Sequence, residues 1–452
     1  MTAGSMPAKV KIIGGGLAGS EAALQCARLG LRCELYEMRP VQSTPAHQTA
    51  ELAELVCSNS LKSESEFTAP WLLKREMRLA GSALLECADR CAVPAGHALA
   101  VDRVAFAGMV TELIACKAFI SVRREEVTRI DEERDITIIA SGPLTSSRLA
   151  DEIARLAGCD HLYFYDSISP IVEADSIDRS RVYLAARYGK GSADYINCPF
   201  TKEEYDRFYD ALMAAQSVEE KDWENLNYFE SCLPIEEIAR RGRDTLRFGP
   251  MKPVGLADPG TGKLPYAVVQ LRQENQRADS YNLVGFQNHL KFGEQARVLR
   301  LIPGLENAKV LRYGQIHRNT YINAPALLEP TLQMKRHPNV IFAGQICGVE
   351  GYVESIAAGL LAALSAAALA KGATPAPPPR ATAHGSLLHY ITHVDAANFQ
   401  PANITFDLLP PLEKPVRDRK QRHQLICQRA LSEFSSWLAG KRAMAATIDS
   451  VR

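Results

Sequence analysis

Net charge is missing from this chain: 52 Lys and Arg offset 52 Asp and Glu. No overall field draws in a polyanion, so any nucleic-acid site has to be a local patch. The opening residues, MTAGSMPAKVKII, hold no apolar core of the kind a secretory leader needs, and export is not expected. Long hydrophobic runs are scarce as well. The best of them, Ile356–Ala370, is alanine-rich, falls short of a membrane span and reads as a buried helix. Eleven cysteines lack the spacing of a disulfide framework, and their odd number suits reduced thiols in cytosol. Internal repeats are also lacking.

What is present is a chain of 452 residues, 46% hydrophobic and 23% charged, which implies a soluble globular protein of two or three domains. The stretch AKVKIIGGGLAGSEAALQCARLGLRCELYEMRP reads as a βαβ unit. Val10–Ile13 forms a strand, Gly14–Gly19 a turn, Ser20–Leu29 a helix closed by Gly30, and Leu31–Tyr36 a second strand. Ile136–Ala140 is another buried strand, followed by a Gly-Pro turn. From Arg181 to Arg300 aromatic residues, charges and Pro/Gly punctuation become denser, as expected of an inserted domain. The expected organisation is therefore a discontinuous α/β domain, 1–180 and 301–452, interrupted by an α+β insertion at 181–300. The α/β texture returns in VIFAGQICGVEGYVES, a strand, a glycine-rich turn and a helix start. A Pro-rich connector, ATPAPPPRATAHG, follows, and a basic, helix-compatible stretch after Pro410 reads as a solvated face.

Gly14, Gly16 and Gly19 fit G-x-G-x-x-G between a strand and a helix. Gly14 permits the tight turn, Gly16 lets backbone approach a pyrophosphate, and Gly19 lets the helix pack on the strand. Glu37, at the end of the second strand, can accept hydrogen bonds from a ribose hydroxyl. The second glycine cluster, Gly344, Gly348 and Gly351 before a helix, favours a flavin dinucleotide. No second G-x-G-x-x-G exists for a dedicated NAD(P)H domain.

Several patterns imitate other sites. ADPGTGKL has Ala257 and Leu264 where a P-loop needs Gly and a hydroxyl. Cys87 and Cys91 lie one helical turn apart without a second ligand pair at zinc spacing. His389 and His393 lack the glutamate of a metalloprotease motif, and no metal site is expected.

Long strings carry a more specific message: GGGLAGSEAA, LYEMRP, TPAH, AELVCSNSLKS, VPAGHALAVDR, SGPLTS, YFESCLPIEEIARRG, TLRFGPMKPVGL, PYAVVQLRQEN, NLVGFQNHL, HRNTYINAP and GQICGVEGYVES. From about Val10 to Leu409 the chain resembles the folate- and FAD-dependent tRNA (uracil-5-)-methyltransferases of bacteria. The resemblance implies a glutathione-reductase-like FAD-binding Rossmann domain with an insertion. It also implies methylation of a T-loop uridine of tRNA (position 54), with 5,10-methylenetetrahydrofolate as carbon donor and NADH or NADPH as reductant. His97, Gly189, Ser231, Asn288 and Cys347 depart from the expected Gly, Asp, Gly, Thr and Thr, as does the stretch FTAPWLLKREM. Related enzymes that modify ribosomal RNA, and small-molecule flavin oxidoreductases, are the competing readings.

C5 of uracil is a weak nucleophile until a thiolate adds to C6. The resemblance assigns this chemistry to a pair, Cys57 in VCSNS and Cys232 in ESCLPIEE. Cys57 is the nucleophile or the stabiliser of the carbon-carrying flavin, and Cys232 the base at C5 or the alternate nucleophile. The polar run Ser58–Asn59–Ser60 makes an apolar core position for Cys57 less apt. Cofactor contacts are expected at Gly14, Gly16, Leu17, Ala18, Gly19, Glu37 and Arg39, and at Gly344, Gly348, Val349, Gly351 and Tyr352. A pterin needs a stacking partner, for which His289 and His317 are candidates. Arg240, Arg241, Arg243, Arg247 and Lys252, close to Cys232 in sequence, can hold RNA phosphates while a uridine is flipped; ion pairing to Glu236 and Glu237 is the alternative use.

Overall fold

The computed structural model describes residues 9–44, 46–158, 162–167, 169–189, 192–218 and 233–450, excepting the side chains of 162–167, 316–318 and 442–450. Its centre is a five-stranded parallel sheet in the order Val340–Phe342, Ile136–Ile139, Val10–Ile13, Cys33–Tyr36 and Ile120–Arg123. Val10 pairs with Cys33 on one side and Ile136 on the other, so the first strand lies in the middle. That placement explains why Val10, Ile12 and Ile13 are all buried, with Lys11 alone only partly covered.

Two helices cover this sheet near its C-terminal edge. Leu17–Arg28 begins three residues earlier than its apolar periodicity suggests, with Gly16 as N-cap, so Gly19 lies inside its first turn. Tyr352–Ala370 crosses it at glycine: a Cβ on Gly359 would lie 2.1 Å from the carbonyl oxygen of Ala18. This second helix is long and apolar enough to cross a membrane, yet 72% of its most apolar window is buried in the fold. The helix is a core element. Its start at Tyr352, rather than at the apolar run itself, brings an aromatic hydroxyl to the sheet edge.

A six-stranded antiparallel sheet is built in the order Tyr183–Leu184, Ile196–Phe200, Ala267–Gln273, Ser280–Leu283, Ile171–Glu173 and Val310–Arg312. It draws strands from both sides of 181–300. Lys202–Met213, Ile235–Arg240 and Phe292–Leu299 pack on it around a core of its own, containing Phe200, Phe208, Leu246 and Phe286. A second, larger core belongs to the parallel sheet and its helices. Leu162–Ser167 and Ile316–Tyr321 pair as a two-stranded link between the two regions. A three-stranded sheet, Ser60–Ser63, Ala98–Val101 and Ala92–Val93, follows the segment that carries Cys57. After Pro410 the chain forms the helix Arg419–Ser450, whose Cys427, Ala430 and Phe434 are buried in the larger core. The stretch is thus more than a solvated face.

Candidate active site at the glycine-rich cleft

The first strand ends at Gly14, where φ is +107° and a Cβ would lie 2.4 Å from the Ala140 carbonyl oxygen. Only glycine tolerates both conditions. A Cβ on Gly16 would meet nothing within 4 Å, so the helix N-terminus opens directly onto a cleft. The cleft, about 990 Å³ when the solvent at its open side is included, is bordered by Gly14, Gly16, Ala18, Glu37, Gly344 and Tyr352. The helices starting at Leu17 and Tyr352 both open near it, so unpaired N–H groups and two dipoles favour an anion there.

Glu37 leaves the second strand and is buried. Its Oε2 accepts from the Gly15 N–H at 3.0 Å, and its Oε1 from the Arg39 N–H at 3.0 Å and Nε at 2.9 Å. Burial opposes the charge, but Arg39 and the backbone N–H groups outweigh it and hold the carboxyl below its usual pKa. Oε2 keeps an acceptor position for a ribose hydroxyl. Arg39 reaches on to Glu54 at 2.9 Å and to the carbonyls of Thr49 and Glu51, fixing the loop over the cleft. This cradle fits a flavin dinucleotide: free N–H groups for the pyrophosphate, an ionised acceptor for the ribose, and volume beyond.

His47 also borders the cleft, its Nδ1 2.7 Å from Thr44 Oγ1. Burial, reinforced by the Arg39 charge, pushes its pKa down from 6.5 to about 4. The folded protein binds this proton less readily than the unfolded chain. Stability from neutral His47 is therefore fully present above pH 6.5 and is lost as pH falls from 6.5 towards 4. Thermal melts over that range should show a steeper decline in the wild type than in His47→Gln.

Cys57 is half-buried on the segment that leaves the cleft at Val56. Its N–H donates to the Tyr352 hydroxyl oxygen at 2.7 Å, and the Ser58 N–H donates to the same oxygen at 3.1 Å. The Cys57 carbonyl accepts from Arg103 Nη2 at 3.4 Å. The nucleophile candidate is thereby tied to the glycine-rich turn that precedes Tyr352. Other thiols are poor competitors: burial pushes Cys33, Cys347 and Cys427 up to about 12 and Cys87 to about 11. Cys116 is exposed. Cys232 lies outside the described residues.

Gly348 has φ +87° and abuts the Phe399 ring, while Val349 is buried. Both shape the second turn rather than line the cleft. His289 is 2% exposed, its Nδ1 2.8 Å from the buried Glu236 carboxylate. His317 sits on the strand Ile316–Tyr321, and its side chain lies outside the described set. Among the arginines, Arg240 and Arg241 are exposed, Arg240 pairing with Glu237. Arg243 is engaged by Asp206 and Asp210 and lies over Tyr209. Arg247 stacks 3.7 Å over Tyr266 and pairs with Asp244. Lys252 is half-buried. Among the described residues no group of His, Cys, Asp and Glu gathers at metal-binding positions.

Sequence reasoning passed over Arg103, which reaches the carbonyls of Leu55 and Cys57 from a distant part of the chain, and Glu274, which holds Arg103 in turn. Arg103 and Glu274 lie in the strings VDR and RQEN, but nothing local marks either as a partner of Cys57.

The profile of a family described as glucose inhibited division protein A matches residues 9–374. A protein of Koribacter versatilis, named methylenetetrahydrofolate–tRNA-(uracil-5-)-methyltransferase TrmFO, is 71% identical over 438 residues, spanning 96% of this chain and 99% of its own. The like-named protein of Solibacter usitatus is 63% identical over 441 residues, again 96% of this chain and 99% of its own. The chain belongs to the methylenetetrahydrofolate–tRNA-(uracil-5-)-methyltransferase family. The fold of this family is also that of Aquifex aeolicus GidA, whose form II crystal structure superposes with a TM-score of 0.69 at 16% identity, covering 98% of this chain and 74% of that one.

Proposed function

We propose that this chain transfers the one-carbon unit of 5,10-methylenetetrahydrofolate to C5 of a tRNA T-arm uridine and reduces it to methyl, with NADH or NADPH as electron source. The observation that carries this reading is 71% identity along 96% of the chain to a relative of that name. The placement of Cys57 beside a cradle that fits FAD supports it.

The N–H groups around Gly16, Leu17 and Ala18 hold the pyrophosphate and Glu37 the ribose, with Arg39 keeping Glu37 ionised and oriented. When bound, FAD supplies the redox chemistry and the carriage of the one-carbon unit. Cys57 as thiolate adds to C6 of uracil, and the C5–C6 π electrons become an enolate that attacks the carbon unit from C5. Cys232 then removes the C5 proton, and the enolate so formed breaks the bond between the carbon unit and its carrier, leaving an exocyclic methylene on C5. A hydride, which bound reduced flavin would supply at the expense of NADH or NADPH, makes that methylene a methyl group, and the electron pair returned to C5 breaks the C6–S bond to restore the ring and the Cys57 thiolate. His289, its ring fixed by Glu236, and His317 are assigned to the pterin. Arg240 and Arg241 are assigned to RNA phosphates, with Lys252 at the edge of the same patch. Arg243 and Arg247, occupied by carboxylates and tyrosine rings, hold that surface together. Phe248, 79% exposed beside them, offers a face for a base. The working place is the cytoplasm, where these substrates occur.

The test incubates purified flavoprotein with methylenetetrahydrofolate, NADPH or NADH, and a T-arm transcript. A second transcript carries cytidine at the target position. Mass spectrometry should find one methyl group on the first transcript and none on the second. NADPH-reducible protein that methylates neither transcript would refute this reading, and methylation of a ribosomal RNA fragment alone would reassign the substrate.

A further inference from the structure

A buried polar seam joins the Cys57 segment to the six-stranded sheet. Arg103 opens the helix Arg103–Ala115, where Asp102 caps the N–H groups of Val104 and Ala105. Its Nη1 donates to the Leu55 carbonyl at 3.0 Å and its Nη2 to the Cys57 carbonyl at 3.4 Å. Nε and Nη2 also donate to Glu274, at 2.5 and 3.1 Å. Glu274 is buried at the end of the strand Ala267–Gln273, and Asn282 on the neighbouring strand donates to it. Asn59 sews the same edge: its Nδ2 donates to the Gln273 carbonyl at 2.8 Å and to the Val101 carbonyl at 3.1 Å. Across the seam the Gln276 N–H donates to Asp102 at 3.0 Å.

We propose that the Arg103–Glu274 pair is a positioning device for Cys57, through which the six-stranded sheet sets the direction of the thiol; this rests on the function proposed above. The Cys57 residue is held at both ends. Its N–H is fixed by Tyr352, next to the cofactor cradle, and its carbonyl by Arg103, whose plane is set by Glu274. Four hydrogen bonds occupy the guanidinium fork, two on carbonyls that flank Val56 and two on the carboxylate. A buried ion pair contributes little net stability compared with an apolar pair of the same volume. An apolar pair, however, cannot grip two backbone carbonyls. The sheet that carries Glu274 shares its core with Ile235 and Ala239, from the helix that ends at the proposed RNA arginines Arg240 and Arg241. The region that meets RNA is thus the region that aims the nucleophile.

The test uses full-length holoenzyme carrying Arg103→Lys, Glu274→Gln, Glu274→Asp, or the apolar double variant Arg103→Met/Glu274→Leu. Flavin content, flavin reduction by NADPH, folate KM, methyl transfer in a single turnover, and Cys57 alkylation by iodoacetamide, mapped by mass spectrometry with Cys116 as internal reference, are measured on each. The expectation for Arg103→Lys, Glu274→Gln and the double variant is unchanged flavin content, reduction rate and KM, with methyl transfer slowed about 100-fold, the scale of a misplacement near 1 Å. Cys57 alkylation should shift several-fold relative to Cys116, and Glu274→Asp should recover about a tenth of the wild-type rate. Methyl transfer at the wild-type rate in the double variant would overturn the proposal. So would a loss of flavin content and reduction in parallel with transfer, which marks a general structural role. If the wild type itself methylates no RNA, the proposed function fails, and the alkylation ratio still decides whether this pair places Cys57.

Discussion

Cys57→Ser is expected to leave a flavoprotein that binds FAD and is reduced by NADPH at the wild-type rate, while methyl transfer falls by about 10⁴-fold or more. Serine keeps the backbone N–H that donates to Tyr352 and the carbonyl that accepts from Arg103, so the segment has no reason to move. What changes is the reacting atom. A hydroxyl has no accessible anion near neutral pH and is a far weaker nucleophile towards C6 than a thiolate. Among the described residues Cys33, Cys87 and Cys347 are poor substitutes, because burial keeps them protonated and away from the cleft surface. Single-turnover mass spectrometry of the T-arm transcript reads the effect. Retention of a tenth of the wild-type rate would assign the attack to another group, with Cys232 the first to examine.

The parts of this site that sequence made legible are those built from neighbours in the chain. Val10–Ile13, the glycines at 14, 16 and 19 and the acid at 37 belong to one local motif whose spacing is dictated by a strand, a turn and a helix. Periodicity alone puts the helix start at Ser20 rather than Leu17, because glycine and alanine carry little of it. Tertiary contact, with Gly19 pressed on Gly14, decides that Leu17 is already helical. The other half of the site depends on distance. Tyr352 meets Cys57 across 295 positions and Glu274 meets Arg103 across 171, and neither pairing leaves a local trace in composition or period. The second sheet reaches back to Ile171 and forward to Arg312 for the same reason. Short strands at the ends of an inserted region take their identity from the partners they pair with.

Gly19→Ala is expected to be the most damaging single methyl group that can be added to the cofactor cradle. The new Cβ would lie 1.8 Å from the carbonyl oxygen of Gly14, and the obstacle is backbone rather than a side chain that can swing aside. Relief requires the first turn of the helix Leu17–Arg28 to lift from the strand. The lift is opposed at Gly359, where the long apolar helix presses on Ala18 from the other side. Overpacking of this kind costs about 1–3 kcal/mol. Lifting the turn also moves the N–H groups meant for the pyrophosphate, which need hydrogen-bond distances near 2.9 Å to act on an anion. Purified Gly19→Ala protein should therefore carry less than about a tenth of the wild-type flavin and melt several degrees lower, as expected for that energy in a chain of this size. Gly16→Ala provides the contrast, since its Cβ would meet no protein atom within 4 Å. That variant should melt like the wild type without cofactor and lose only flavin affinity. Equal melting and equal flavin content in Gly19→Ala and the wild type would mean that the helix is not seated on the strand at this glycine.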